Sequence, residues 1–305
     1  MSRRIMLVTH PRRPEVRAMV QDFSLRLGEH DIEVDIVREV DVEDHTPVSA
    51  TTARDLGADP RLEGAELVVI FGGDGTILRS AELARQAAVP LLGVNLGRVG
   101  FLAEAEREEM GWMVDQVVNR RYTVQERMAL DVDVIENGAT VCRSWALNEA
   151  SVEKSARERM IELAVEIDGR PLSTWGCDGV VMATPTGSTA YAFSGGGPVV
   201  WPDLDALLVV PISAHALFAR PLVLGPHSHL AVELMSENFG QAVMWCDGRR
   251  SFDLSPGARI EVRRSEIGVP IARLSNSPFT DRLVAKFDLN VEGWRGRPRR
   301  PRPEV

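Results

Sequence analysis

Three glycines surround one acid in VVIFGGDGTILRSA, residues 68–81. Gly72, Gly73 and Gly75 lack Cβ atoms, so they permit positive φ and let backbone N–H groups approach a ligand closely. The start of a helix adds unpaired donors and a partial positive charge, which together suit a phosphate. The stretch lacks the GK[ST] ending of a Walker A loop and the GxGxxG spacing of a dinucleotide fingerprint. Asp74 stands where the anion is expected. At about 4 Å and an effective dielectric near 20, a carboxylate repels a phosphate oxygen by roughly 4 kcal/mol per unit charge. Two arrangements remove the conflict. A Mg²⁺ lies between carboxylate and phosphates, or the carboxylate faces the attacking hydroxyl and takes its proton. Both belong to phosphoryl transfer. The alternative without chemistry is that Asp74 caps a helix starting near Thr76. Arg79 falls in the first turn of that helix, where a cation opposes the dipole. A phosphate contact accounts for it; so does an exposed surface arginine.

A second dense stretch is CDGVVMATPTGSTAYAFSGGGPVV, residues 177–200. Thr184, Thr186, Ser188 and Thr189 crowd hydroxyls around Pro185 and Gly187, followed by Tyr191, Ser194 and three glycines. Small hydroxyl residues and glycines let a flat base or a ribose reach the backbone, and Tyr191 is able to stack on an aromatic ring. The alternative is a capped helix start followed by a glycine turn. Asp178 opens the stretch as a turn acid or a ligand for hydroxyl and amide groups. Asn148-Glu149, after an apolar strand, offers an amide suited to an adenine edge and a carboxylate suited to ribose hydroxyls; a loop cap is the plainer alternative.

With GGDGT at 72–76, Asn148-Glu149, Asp178-Gly179 and TPTGSTAY at 184–191 in this order, the sequence resembles the NAD kinase family from about residue 5 to 290. GGDGT alone is shared with lipid kinases and, loosely, with phosphofructokinases; TPTGSTAY after it is more specific. The resemblance implies transfer of the terminal phosphate of ATP, or of polyphosphate, to the 2′-hydroxyl of the adenosine ribose of NAD, giving NADP. It implies a Mg²⁺ held mainly by phosphates and a homodimer or homotetramer with the NAD site shared between subunits. Carried over, Asp74 takes the ribose proton, with Gly72, Gly73, Gly75 and Thr76 around it. Asn148 and Glu149 hold adenine and ribose. Asp178 contacts the nicotinamide end from a neighbouring subunit. Thr186, Thr189, Ala190, Tyr191 and Ser194 line the adenosine and diphosphate. Arg79 and Arg159 stand where the family has ligand-contacting polar or basic residues, and Ser213 where a small residue touches the ligand. Cys177, Gly176 and Arg249 depart from the family pattern.

These residues need elements to hold them. Residues 5–9, 32–37, 67–71 and 91–95 read as strands, and 14–28, 76–88 and 107–119 as helices. Strand and helix alternate, which predicts an N-terminal α/β domain with a Rossmann-like parallel sheet. From residue 126 the chain alternates with period two around Asn137-Gly138 and Asp168-Gly169, both hairpin signals. That predicts a β-rich C-terminal domain of antiparallel, sandwich-like strands with a short helix around 188–194. A helical segment at 276–290 is expected to return to the first domain. The expected domains are 1–124 with 272–292, then 125–271, then a disordered tail at 293–305. The polar segment 41–63 reads as a loop, a candidate cover over the nucleotide.

A net charge of −9 argues against a general nucleic-acid partner. No stretch approaches the roughly 18 apolar residues of a membrane span, and no secretory core is visible. Cys142, Cys177 and Cys246 form no CxxC pair, so buried thiols in a reducing cytoplasm are expected rather than a zinc site. Two other functions compete: a lipid kinase, which needs an apolar access surface that the sequence does not show, and a non-catalytic NAD(P) sensor, which has no use for Asp74.

Overall fold

Every residue of Leu67–Phe71 and of Leu91–Asn95 is buried. Strands covered on both faces require such unbroken apolar runs instead of alternation. They form the middle of a sheet in a computed structural model that describes residues 3–9, 14–38, 46–47, 60–96, 100–106, 109–155, 159–236, 241–274 and 278–291. Across this sheet the order is Ile32–Arg38, Arg3–Thr9, Leu67–Phe71, Leu91–Asn95, Val269–Arg273 and Thr123–Arg127, with Ala103–Glu106 also pairing beside Leu91–Asn95. All pairs are parallel except Val269–Arg273 with Thr123–Arg127. Both strands of that pair straddle the expected domain limits, and both belong to the first sheet.

Helices α1 (Pro14–Gly28) and α3 (Met110–Val118) cover one face through Val20, Phe23, Leu27, Met113 and Val117. Phe23 meets Phe71 edge-on at 5.5 Å. Helix α2 (Asp74–Ala84) covers the other face through Ile77, Leu78, Ala81 and Ala84. It begins two residues before Thr76 and stops short of the expected residue 88. Ala88 sits at φ 51° ahead of Pro90, and a proline disfavours helical backbone just before it.

The second half of the chain is two facing sheets. One runs Leu222–Leu224, Leu207–Ile212, Gly179–Ala183, Glu149–Lys154, Ala242–Cys246, Arg250–Leu254 and Thr46–Pro47. The other runs Arg170–Cys177, Ile161–Ile167, Leu230–Leu234, Arg259–Arg264, Leu130–Glu136 and Ala139–Ala146. Trp175, Leu163 and Ile260 from one pack on Met182, Val152 and Met244 from the other, the arrangement of a sandwich. Asn137-Gly138, Asp168-Gly169 and Asp247-Gly248 all have positive φ at both residues, as two-residue hairpin turns matched to strand twist require. The short helix is a 3₁₀ turn, Thr186–Thr189, followed by α4 (Tyr191–Ser194). Helix α5 (Phe279–Phe287) is shorter than the segment expected at 276–290 and ends at Asp288, φ 48°. Within 41–63, Thr46–Pro47 pairs in parallel with Arg250–Ser251, and Pro60–Leu62 forms a 3₁₀ turn. Residues 41–45 and 48–59 of that segment, and the tail at 293–305, lie outside the described residues.

Candidate active site

Asp74 is the first residue of α2, not a cap before Thr76. The N-cap is Gly73, and no side chain closes the helix start. The Asp74 carboxylate turns instead to the chain after the Leu91–Asn95 strand. Oδ2 accepts the Phe101 N–H at 3.0 Å and Oδ1 the Leu102 N–H at 3.1 Å. A Cβ on Gly100 would collide with this carboxylate. Of the amides at the start of α2, that of Thr76 donates to the Gly73 carbonyl at 2.9 Å, while those of Asp74 and Gly75 precede any acceptor within the helix. Gly73 and Gly75 are exposed, and a Cβ on either would meet nothing within 4 Å, so the loop is open to an incoming group. Gly72 is different: its Cβ would lie 2.5 Å from Thr76 Oγ1. None of the three uses positive φ; close packing and an open backbone account for them, contrary to the conformational role expected. Arg79 is the sixth residue of α2 and half-buried. It therefore lies beyond the first turn, and the dipole cost expected for it does not arise.

The Asn148-Glu149 turn follows Leu147, which belongs to the same core cluster as Ile77 and Leu78 of α2. The 184–191 segment wraps this turn. The Asn148 carbonyl accepts the Thr184 N–H at 2.9 Å, and Thr184 Oγ1 donates to the Leu147 carbonyl at 2.6 Å. Gly187 lies so close over Asn148 that any Cβ would strike its carbonyl. Ser188 is spent on Pro185 and Val200, so Thr184 and Ser188 shape the segment; Thr186 is buried with them, and Thr189, Ala190 and Tyr191 are half-buried at its edge. Ser194 is exposed at the end of α4. Glu149 is 8% exposed, and its Oε2 has no hydrogen-bond partner. Burial, reinforced by the charge of Asp247, pushes its carboxyl up to about 8, although the Tyr191 N–H partly opposes the shift. Burial and the neighbouring Glu153 carboxylate push the Tyr191 hydroxyl up to about 12.

Asp247 is a residue that the sequence does not flag. An acid at the first place of a two-residue turn is ordinary turn chemistry, which hides a second use. Its carboxylate accepts the Asn148 N–H at 2.7 Å, the Leu147 N–H at 3.0 Å and Arg250 Nη2 at 2.8 Å. Arg250 then reaches Glu82 of α2 at 3.4 Å and lies over the Trp145 ring at 4.6 Å. Arg85, just past α2, lies over the same ring at 4.5 Å. The network ties the helix carrying Asp74 to the Asn148-Glu149 turn.

Asp178 lies at the other end of the strand. Lys154 Nζ approaches it at 2.5 Å, and hydrogen bonds from Lys154 and Ser213 hold its carboxyl below the usual range. Ser213 is at φ 49°. The Glu149–Lys154 strand separates this pair from Glu149 by roughly 17 Å, at about 3.3 Å per residue. Arg159 is exposed ahead of the Ile161–Ile167 strand.

Residues 5–122 match the ATP-NAD kinase N-terminal domain, and residues 147–274 the ATP-NAD kinase C-terminal domain. The chain belongs to the NAD kinase family. It is 62% identical over 237 residues to NAD kinase 2 of Streptomyces coelicolor, covering 78% of each chain. It is 48% identical over 304 residues to the NAD kinase of Mycobacterium leprae, covering 97% of each. A solved NAD kinase from Archaeoglobus fulgidus in complex with ATP superposes with a TM-score of 0.69 at 26% identity, covering 93% of this chain and 98% of that one. Members of this family are phosphotransferases. Against the family pattern, Arg249 reaches Glu82 of α2 at 3.4 Å. Cys177 is fully buried, its thiol pushed up to about 12 by that burial. The Gly176 carbonyl accepts the His215 N–H at 2.8 Å.

Proposed function

We propose that this chain transfers the terminal phosphate of ATP to the 2′-hydroxyl of the adenosine ribose of NAD, giving NADP and ADP. One observation carries the mechanism: Asp74 is held by two backbone amides at the mouth of an open glycine turn, on a helix that shares a core cluster with Leu147, the residue before Asn148-Glu149. Each carboxylate oxygen keeps a lone pair beyond its amide bond, so Asp74 is fixed in direction and still able to accept a proton. The ribose oxygen attacks the terminal phosphorus, the bond to the bridging oxygen of ADP breaks, and the hydroxyl proton passes to Asp74. The amides of Gly73, Asp74 and Gly75 face the transferring group, with Thr76 beside them. Asn148 and Glu149 take adenine and ribose. Thr186, Thr189, Ala190, Tyr191 and Ser194 line the adenosine and diphosphate, with Arg79 and Arg159 as further ligand contacts.

Asp178 and Ser213 serve the nicotinamide end of a site in a second copy of the chain. A homodimer or homotetramer follows from that reading. Polyphosphate is a second donor under the same proposal. No group of three or more metal-ligating side chains is found among the described residues. A lone carboxylate fits a Mg²⁺ whose other positions are phosphate oxygens and water, and bound there it would neutralise charge on the transferring group. A cytoplasmic location belongs to the same proposal, in keeping with three buried free cysteines. No described helix is long and apolar enough to cross a membrane.

Incubation with ATP, Mg²⁺ and NAD is expected to yield NADP, and Asp74→Asn to lower turnover about 10²- to 10⁴-fold, the usual worth of a general base. Wild-type turnover in that variant with NAD still bound would sink the mechanism. A lipid acceptor used in preference to NAD favours the lipid-kinase reading, and NAD binding with no product favours the sensor.

A further inference from the structure

Helix α5 packs on the segment that holds Asp74. Arg282 donates from Nη1 to the carbonyls of Phe101 at 2.9 Å and Ala103 at 3.0 Å, and its Nη2 pairs with Glu104. The Glu104 side chain has no exposed surface and also meets Arg273 Nε at 2.7 Å. The Phe101 carbonyl and the Leu102 N–H belong to one peptide group, which is planar and rigid. Its oxygen accepts from Arg282 while its N–H donates to Asp74. A cation and the proposed base therefore pull on opposite ends of one dipole, an arrangement in which each bond strengthens the other.

The aromatic contacts run in the same direction. Phe101 lies 5.8 Å from Phe279 and 5.9 Å from Phe287, and Phe287 stacks at 4.7 Å on Phe193 of α4. Helix α5 itself has no fully buried residue. Its contribution to the core is small, and what it offers is a grip on residues 101–104. We infer that Arg282 is a positioning residue: by fixing the Phe101–Leu102 peptide it sets the direction of the Asp74 carboxylate towards the ribose hydroxyl. This rests on the reading of Asp74 as the proton acceptor.

A double-mutant cycle separates the two. Arg282→Ala is expected to lower kcat about 10- to 100-fold, the scale of a small misplacement of a reacting group, with KM for ATP and NAD within about threefold. In an Asp74→Asn background the same change is expected to cost less than about threefold, because groups that act as a unit are not additive. Arg282→Lys keeps the charge beside Glu104 but loses the planar fork; it folds and falls between the wild type and Arg282→Ala. Millimolar guanidinium is expected to restore part of the Arg282→Ala turnover. Native kcat in both Arg282 variants, or the same fold-loss with and without Asp74, overturns the inference while leaving Asp74 as the base. Native turnover in Asp74→Asn alone overturns the underlying reading instead.

Discussion

Glu149 and Asp74 are carboxylates with opposite surroundings. Asp74 accepts two amides at an open turn; Glu149 is buried, has an unpartnered oxygen and faces the charge of Asp247. A neutral acid at 149 donates a hydrogen bond as well as accepting one. Between the ordinary value of 4.5 and about 8, the folded chain holds a proton there that the unfolded chain has released. Stability therefore falls as pH rises through that window, by at most about 1.4 kcal/mol per pH unit. Glu149→Gln removes this contribution. Urea midpoints at about pH 5.5 and 7.5 are expected to drop less in the variant than in the wild type; an equal drop refutes the raised value. Residue types alone singled out Asp74 and the TPTGSTAY hydroxyls as candidates. That Thr184 and Ser188 are consumed by backbone partners was not visible in them, because a hydroxyl's partners depend on which segments the fold brings beside it.

At the level of elements, the two halves of the site are joined by side chains outside the motifs. Asp247 holds the Asn148-Glu149 turn, and Arg250 carries that hold to Glu82 on α2. Asp247→Ala leaves buried amides without an acceptor, at about 1–3 kcal/mol each, and loosens the turn proposed to bind NAD. It is expected to raise KM for NAD about tenfold or more and to change KM for ATP little; steady-state kinetics with each substrate varied decides, and an unchanged KM for NAD refutes the role. The apolar runs, hairpin turns and the helix at 14–28 were legible because periodicity and Asx-Gly pairs are local signals. The start of α2 lies two residues before the expected one because a glycine N-cap carries no side-chain signature. The core beneath is more ordinary: Phe23→Ala removes the edge-on partner of Phe71 and is expected to cost about 3–5 kcal/mol in a urea titration. A loss under about 1 kcal/mol would mean that the α1 face is not packed as described.

For the whole molecule, the proposal that Asp178 serves a second copy makes the site a shared one. Asp74→Asn and Asp178→Ala are each expected to be nearly inactive alone. Mixed subunits place both intact residues in one site of each hybrid dimer. Random reassociation of equal amounts should then recover about a quarter of wild-type activity. No recovery, with hybrids verified by mass, shows that each chain completes its own site. The sequence could suggest sharing only through resemblance, since nothing local in Asp178-Gly179 says how far that pair lies from Asn148.

Trp145 gives the molecule a built-in lamp. Its indole is faced by two guanidinium groups, Arg85 from beyond α2 and Arg250 from the Asp247 hairpin, so the colour and brightness of its emission depend on how those two elements sit against each other. Subtracting the spectrum of Trp145→Phe isolates that signal, and any drift of the glycine-turn helix away from the sandwich becomes readable by light during turnover, without a label.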